Sequence, residues 1–121
     1  KSMDFDYAIL HLLSPLTLNE NVAAISLPSP EFEPIRDCVT VGWGMISNDE
    51  TVPLPDILYK VILPIVTRPL FLEIVGDSGG ALMCKGVVAG IVSWGTDPCV
   101  QAEYPSVFAN AASVRSWIDE Q

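Results

Sequence analysis

A serine set among glycines beside an acid, Gly76-Asp77-Ser78-Gly79-Gly80, is the segment of this chain best suited to chemistry. A serine hydroxyl becomes a nucleophile for acyl transfer when a base lies within hydrogen-bond reach. Taken alone, Gly-Asp-Ser-Gly more often marks a turn, and Asp6 alone reads as a solvated strand residue. The only histidine of the 121 residues is His11, five positions after Asp6. An odd offset on one strand puts two side chains on opposite faces, and five residues of extended chain span about 16 Å. His11 therefore reads as a surface histidine rather than the base that Ser78 would need. The three cysteines, Cys38, Cys84 and Cys99, allow one disulfide and leave one thiol over. Their wide spacing does not resemble a zinc site, and a single histidine argues further against metal.

Those residues must be held by a fold, and composition bounds it. With half its residues apolar and 17% charged, a chain of 121 residues supports one domain with a core. Fifteen acids against six bases give a net charge of −9. A duplex-binding surface would be basic, so nucleic acid is excluded as the expected partner. The longest stretch free of charged residues runs over 7–19 and is broken by Pro15, too short for a membrane span. The polar start, Lys1-Ser2-Met3, has no apolar leader-like run, as expected of a mature product or a fragment.

Ten prolines and eight glycines along the chain predict many turns and many short strands. Apolar runs cover Tyr7–Leu13 and Asn21–Leu27, and Glu31–Asp37 reads as a surface loop. Cys38–Gly44 reads as a strand entering a glycine loop, followed by a strand-like run around Leu58, Val61 and Leu63 that Pro64 interrupts. Leu70–Val75 is a further candidate strand. Ala81–Cys84 and Val87–Trp94 predict a hairpin turned at Lys85-Gly86. Tyr104–Asn110 suits a last strand, and Ala112–Glu120 a terminal helix burying Val114, Trp117 and Ile118. About seven strands and one C-terminal helix make an all-β domain the expected class.

Five segments, in order, carry a resemblance. Gly76-Asp77-Ser78-Gly79-Gly80 resembles the nucleophile segment of the chymotrypsin/trypsin family of serine proteases. Asp4–Leu10 is similar to the segment bearing that family's triad aspartate. Val41-Gly42-Trp43-Gly44 resembles its strand and glycine loop, and Ile91–Gly95 its substrate-binding strand. Tyr104–Phe108 with Trp117-Ile118 resembles its final strand and helix. The resemblance implies the second β-barrel of the two-barrel fold, with a C-terminal helix. Residues 1–20 would be the inter-barrel and triad-aspartate segment, and 38–121 the second barrel and helix.

The family's chemistry then assigns expected roles. Ser78 is the expected nucleophile and Asp6 the triad carboxylate. The N–H groups of Gly76 and Ser78 form the expected oxyanion hole. Ser93, Trp94 and Gly95 pair with substrate backbone, and Leu72 and Ser106 line the specificity pocket. Leu72 as its floor is not obviously tryptic. Asp77 is the structural carboxylate that receives the new N-terminal ammonium in active members. Cys38 and Cys84 match a family disulfide; Ile74 stands where the partner of Cys99 is usual, leaving Cys99 free for a disulfide-linked dimer. No cofactor is implied. Expected partners are a protein or peptide substrate or an inhibitor, with no membrane, in a secreted, extracellular setting.

Two departures shape the expectation. The family's histidine and its Ile-Val-Gly-Gly start have no match in these residues. Between Thr67 and Gly76 the chain is also shorter than usual, which predicts that Leu70–Val75 is extended and weakly paired or that the barrel is open there. The expected function is a serine endopeptidase present as a truncated, inactive chain. The alternative is a non-catalytic protease homologue acting as a binding module.

Overall fold

A computed structural model describes residues 6–34, 36–47, 49, 51–65, 77–94 and 106–121. Its framework is one antiparallel sheet of five strands: β1, Arg36–Gly42; β2, Tyr59–Ile65; β3, Ala81–Cys84; β4, Val87–Trp94; and β5, Val107–Asn110. The order across the sheet is β2-β1-β3-β4-β5. Residues 111–114 then form a 3-10 turn, and α1, Arg115–Asp119, ends the chain's regular structure. The all-β class with a short C-terminal helix is as the sequence predicts.

The tightest joint is the predicted hairpin. Lys85 and Gly86 form a two-residue connection between β3 and β4, and both have positive φ, 49° and 80°. That is the pattern of a type I′ turn, whose twist matches the strands it joins. β2 runs through Pro64, where the sequence predicts an interruption. It is an outer strand among the described residues, the place in a sheet where proline's missing N–H is tolerated. β1 likewise begins inside the predicted Glu31–Asp37 loop, because Arg36 and Asp37 pair with Ile65 and Pro64.

The core lies on one face of the sheet. Cys38 and Thr40 of β1 alternate inward, as do Leu82 and Cys84 of β3, and Leu63 and Ala89 complete the cluster. Phe32 and Phe108 pack against it. Cys38 and Cys84 are bonded, with Cα atoms 4.5 Å apart, as the resemblance implies. The segment before β1 crosses to the sheet at Ser26, whose carbonyl accepts from the Val88 N–H at 3.0 Å.

Two expectations fail. Tyr7–Leu13 joins no ladder among the described residues, and Leu10 is 86% exposed. Apolar composition alone does not make a strand; a strand needs a neighbour to take its N–H and C=O groups. At the C-terminus Val114 is buried, but Trp117 is 40% exposed and Ile118 only half-buried. The 3-10 turn displaces the predicted helical face, because its three residues per turn rotate side chains differently from an α-helix. Leu70–Val75 lies outside the described residues.

Candidate active site

The Asp77–Gly80 segment is a turn whose geometry explains its glycines. The Gly80 N–H donates to the Asp77 carbonyl at 2.7 Å, placing Ser78 and Gly79 at the two central positions. Gly79 has φ +86°. A type II turn requires positive φ at its second central residue, where glycine carries no steric penalty. Gly80 is needed for space: a methyl there would stand 2.8 Å from the Asp77 carbonyl oxygen. Ser78 is left exposed at the corner.

Two backbone bonds stitch this turn to β4. The Gly79 N–H donates to Val92 O, and the Val92 N–H donates to Gly80 O, both at 2.8 Å. The Asp77 side chain turns the other way, against Gly42 at the end of β1. A methyl on Gly42 would overlap that carboxylate, so the Val-Gly-Trp-Gly segment and the Asp77–Gly80 turn fit each other at this point.

Asp6 reaches the same place from the other end of the sequence. The Ser93 hydroxyl donates to Asp6 Oδ2 at 2.6 Å. Along the β4–β5 ladder Val92 pairs with Phe108 and Trp94 with Val107, so Ser93 falls at a register shift with no partner of its own. Such a bulge re-aims a side chain that strict alternation would place elsewhere. Next to Asp6, the Tyr7 hydroxyl donates to the Asn110 carbonyl at 2.6 Å. Together these segments line a cleft of about 430 Å³, to which Asp6, Tyr7, Ala8, Ser78, Gly79 and Ile91–Ser93 contribute.

The structure thus brings three of the predicted site residues, Asp6, Ser78 and Ser93, to one cleft. Trp94 stands exposed at the end of β4, and Ser106 is half-buried just before β5. His11 is exposed and does not line the cleft. Leu72, Gly76, Gly95 and Cys99 lie outside the described residues. Two features were missed in the sequence. The family resemblance points Ser93 only to substrate pairing, yet its hydroxyl holds Asp6. Tyr7 carries no motif that marks its bond to Asn110. No local pattern announces either contact, since they join residues 87 and 103 positions apart.

Chemically, the arrangement offers an exposed hydroxyl and a carboxylate fixed by a hydrogen bond, facing one opening. A hydroxyl and a carboxylate so placed can serve as nucleophile and orienting acid when a base stands between them.

Comparison with known proteins places this geometry. The chain is 31% identical to an alpha-fibrinogenase-like protein of Daboia siamensis, over 95% of this chain and 53% of that protein. It is 33% identical to the snake venom serine protease pallabin of Gloydius halys, over 96% of this chain and 54% of that protein. The chain therefore spans about half the length of the curated relatives it matches. The first of those alignments extends over 138 residues while using 95% of a 121-residue chain, so that relative carries positions this chain lacks. The solved structure of neuropsin, a serine protease of mouse brain, superposes with a TM-score of 0.73 at 23% identity, over 89% of this chain and 57% of that one. That likeness shows the shared fold. The sequence model of the trypsin family matches residues 1–71 and 73–118, nearly the whole chain. The chain belongs to the trypsin family of serine proteases.

Proposed function

We propose that these residues are the nucleophile-bearing part of a secreted serine endopeptidase, which hydrolyses protein or peptide substrates through an acyl-Ser78 intermediate. The observation that supports this reading most is the single cleft shared by Ser78 and an Asp6 held by Ser93. Ser78 attacks the scissile carbonyl, and the N–H groups of Ser78 and Gly76 receive the oxyanion. Asp6 orients a histidine that lies outside the 121 residues, since His11 is exposed and away from the cleft. Trp94 and Gly95 take the substrate backbone, Leu72 and Ser106 bound its side chain, and Asp77 receives the activating ammonium. The family match omits residue 72, so Leu72 is the least supported of these roles. Cys99 is free to link two chains.

By themselves the 121 residues are catalytically silent in this reading, because losing the base of a triad costs on the order of 10⁶ in kcat. A second reading, a non-catalytic homologue that binds substrates, inhibitors or partner proteins, draws on the exposed position of the only histidine.

One measurement tests the silence of the chain and a second separates the two readings. Incubated with a fluorophosphonate probe, the 121-residue chain is expected to label no faster than its Ser78→Ala variant. Labelling at a normal protease rate would refute its silence. In the encoding transcript, an Ala-Ala-His-Cys-like segment and an Ile-Val-Gly-Gly start are expected upstream. Their joint absence would overturn the endopeptidase reading in favour of the binding module.

A further inference from the structure

We propose that the Tyr7 hydroxyl is a positioning group for the Asp6 carboxylate. The inference rests on the role proposed above for Asp6 and deepens it.

Among the described residues, two hydrogen bonds tie segment 6–18 to the sheet: Ser93 Oγ to Asp6 Oδ2 and Tyr7 Oη to the Asn110 carbonyl, each 2.6 Å. The rest of the segment forms no ladder, and its leucines point to solvent. In an extended chain, neighbouring side chains leave on opposite faces. One bond alone leaves such a segment free to roll about its own axis. Two bonds from adjacent residues, made in opposite directions, fix that roll and so fix where the carboxylate aims.

The acceptor is itself well held. Asn110 pairs with Gly90 across the β4–β5 ladder, its Oδ1 caps the Ala112 N–H at 2.9 Å, and its carbonyl also accepts from Ser113 Oγ at 2.7 Å. Tyr7 therefore refers Asp6 to the end of β5 and the C-terminal turn, elements rigid with respect to Ser78 through β4. The ring does separate work. It lines a mostly apolar cavity of about 390 Å³ with Ser113, Val114 and Trp117.

These two roles come apart in the Tyr7→Phe variant. Phenylalanine keeps the ring, and the Asn110 carbonyl keeps Ser113 as a donor, so no polar group is orphaned. Only the roll constraint is lost. Removing one such hydrogen bond lowers the ratio of seated to unseated Asp6 about fivefold.

The experiment reads the Asp6 side-chain ¹³Cγ shift in the 121-residue chain. Wild type and Ser93→Ala define the two ends of the scale, and Tyr59→Phe, on β2, serves as control. Tyr7→Phe is expected to move toward the Ser93→Ala value, and 4-aminophenylalanine at position 7, which keeps a donor, to return to the wild-type value. A Tyr7→Phe shift that matches wild type overturns the proposal, because a purely packing role is met by the ring alone. If Tyr7→Phe does not fold, the 4-aminophenylalanine chain decides: the wild-type shift supports the proposal and any other refutes it. The measurement involves no turnover, so failure of the endopeptidase reading shows in the upstream transcript and failure of this one shows in the Asp6 shift.

Discussion

Replacing Gly79 with alanine separates backbone strain from crowding at the Asp77–Gly80 turn. The native φ of +86° must be kept if the Gly80 N–H is to reach the Asp77 carbonyl. An L-residue in left-handed backbone costs roughly 1–2 kcal/mol. Alanine also restricts the unfolded chain, an entropy effect of about 0.4–1 kcal/mol that offsets part of the strain. No atom lies within 4 Å of the new methyl, so no steric cost is added. The net loss is about 1 kcal/mol. Unfolding entropy near 2.1 cal/mol/K per residue gives about 0.25 kcal/mol/K for a chain of this length, hence a Tm lower by about 4 °C. Gly80→Ala acts differently. Its methyl meets a backbone oxygen at 2.8 Å, which cannot rotate away. The turn must open, and the Val92 N–H bond to Gly80 O is lost with it. Calorimetry of the two variants beside wild type checks the reasoning, with Gly80→Ala expected to fall further than Gly79→Ala. A Gly79→Ala chain melting within 1 °C of wild type, or below Gly80→Ala, would refute it.

Replacing both Cys38 and Cys84 with alanine removes a bridge that closes 46 residues; the chain-entropy account puts its stabilisation near 4 kcal/mol, or about 16 °C in Tm. A drop of less than 4 °C in a thermal melt would contradict that account here. Asp49 titrates below its ordinary 3.8, because the Thr51 hydroxyl and then the Thr51 N–H donate to its carboxylate. A depressed carboxyl contributes above its unfolded value and loses that contribution as pH falls through the folded one. The Thr51 amide resonance is therefore expected to titrate with a midpoint below 3.8; a midpoint at or above that value would show the hydrogen bonds absent.

What the sequence made legible follows from the range of each interaction. The Lys85-Gly86 hairpin was readable because a two-residue turn carries its own chemical signature. β1 and β4 were readable from their apolar and β-branched runs. The Asp77–Gly80 turn was visible as a cluster of glycines, although its meaning needed the flanking family motifs, as did the Cys38–Cys84 pairing. Local patterning misled at Tyr7–Leu13, where apolar residues have no strand neighbour among the described residues, and at Trp117, where the 3-10 turn reset the helical face. The candidate site was the least legible part. Asp6 and Ser93, like Tyr7 and Asn110, meet across most of the chain, and no period of two or 3.6 encodes a contact of that span.

The sheet has a seam. β1 and β2 share seven register pairs, while β3 with β4 and β4 with β5 share four each; β1 and β3 share two. Chain connectivity divides the same way, for among the described strands only the β1–β3 joint is not consecutive in sequence. Pairing near in sequence closes early, and distant pairing waits for a large loop to close. The β3–β4 hairpin can form on the microsecond scale, whereas disulfide chemistry takes seconds to hours. Loop-closure entropy therefore predicts that the two subsheets, β1–β2 and β3–β4–β5, pair internally before their narrow seam is drawn together, and the Cys38–Cys84 bond crosses that seam. A chain oxidised before the halves meet has a third thiol, Cys99, to choose from. The order of docking and oxidation, rather than the strength of the finished sheet, then governs the yield of correctly bridged protein.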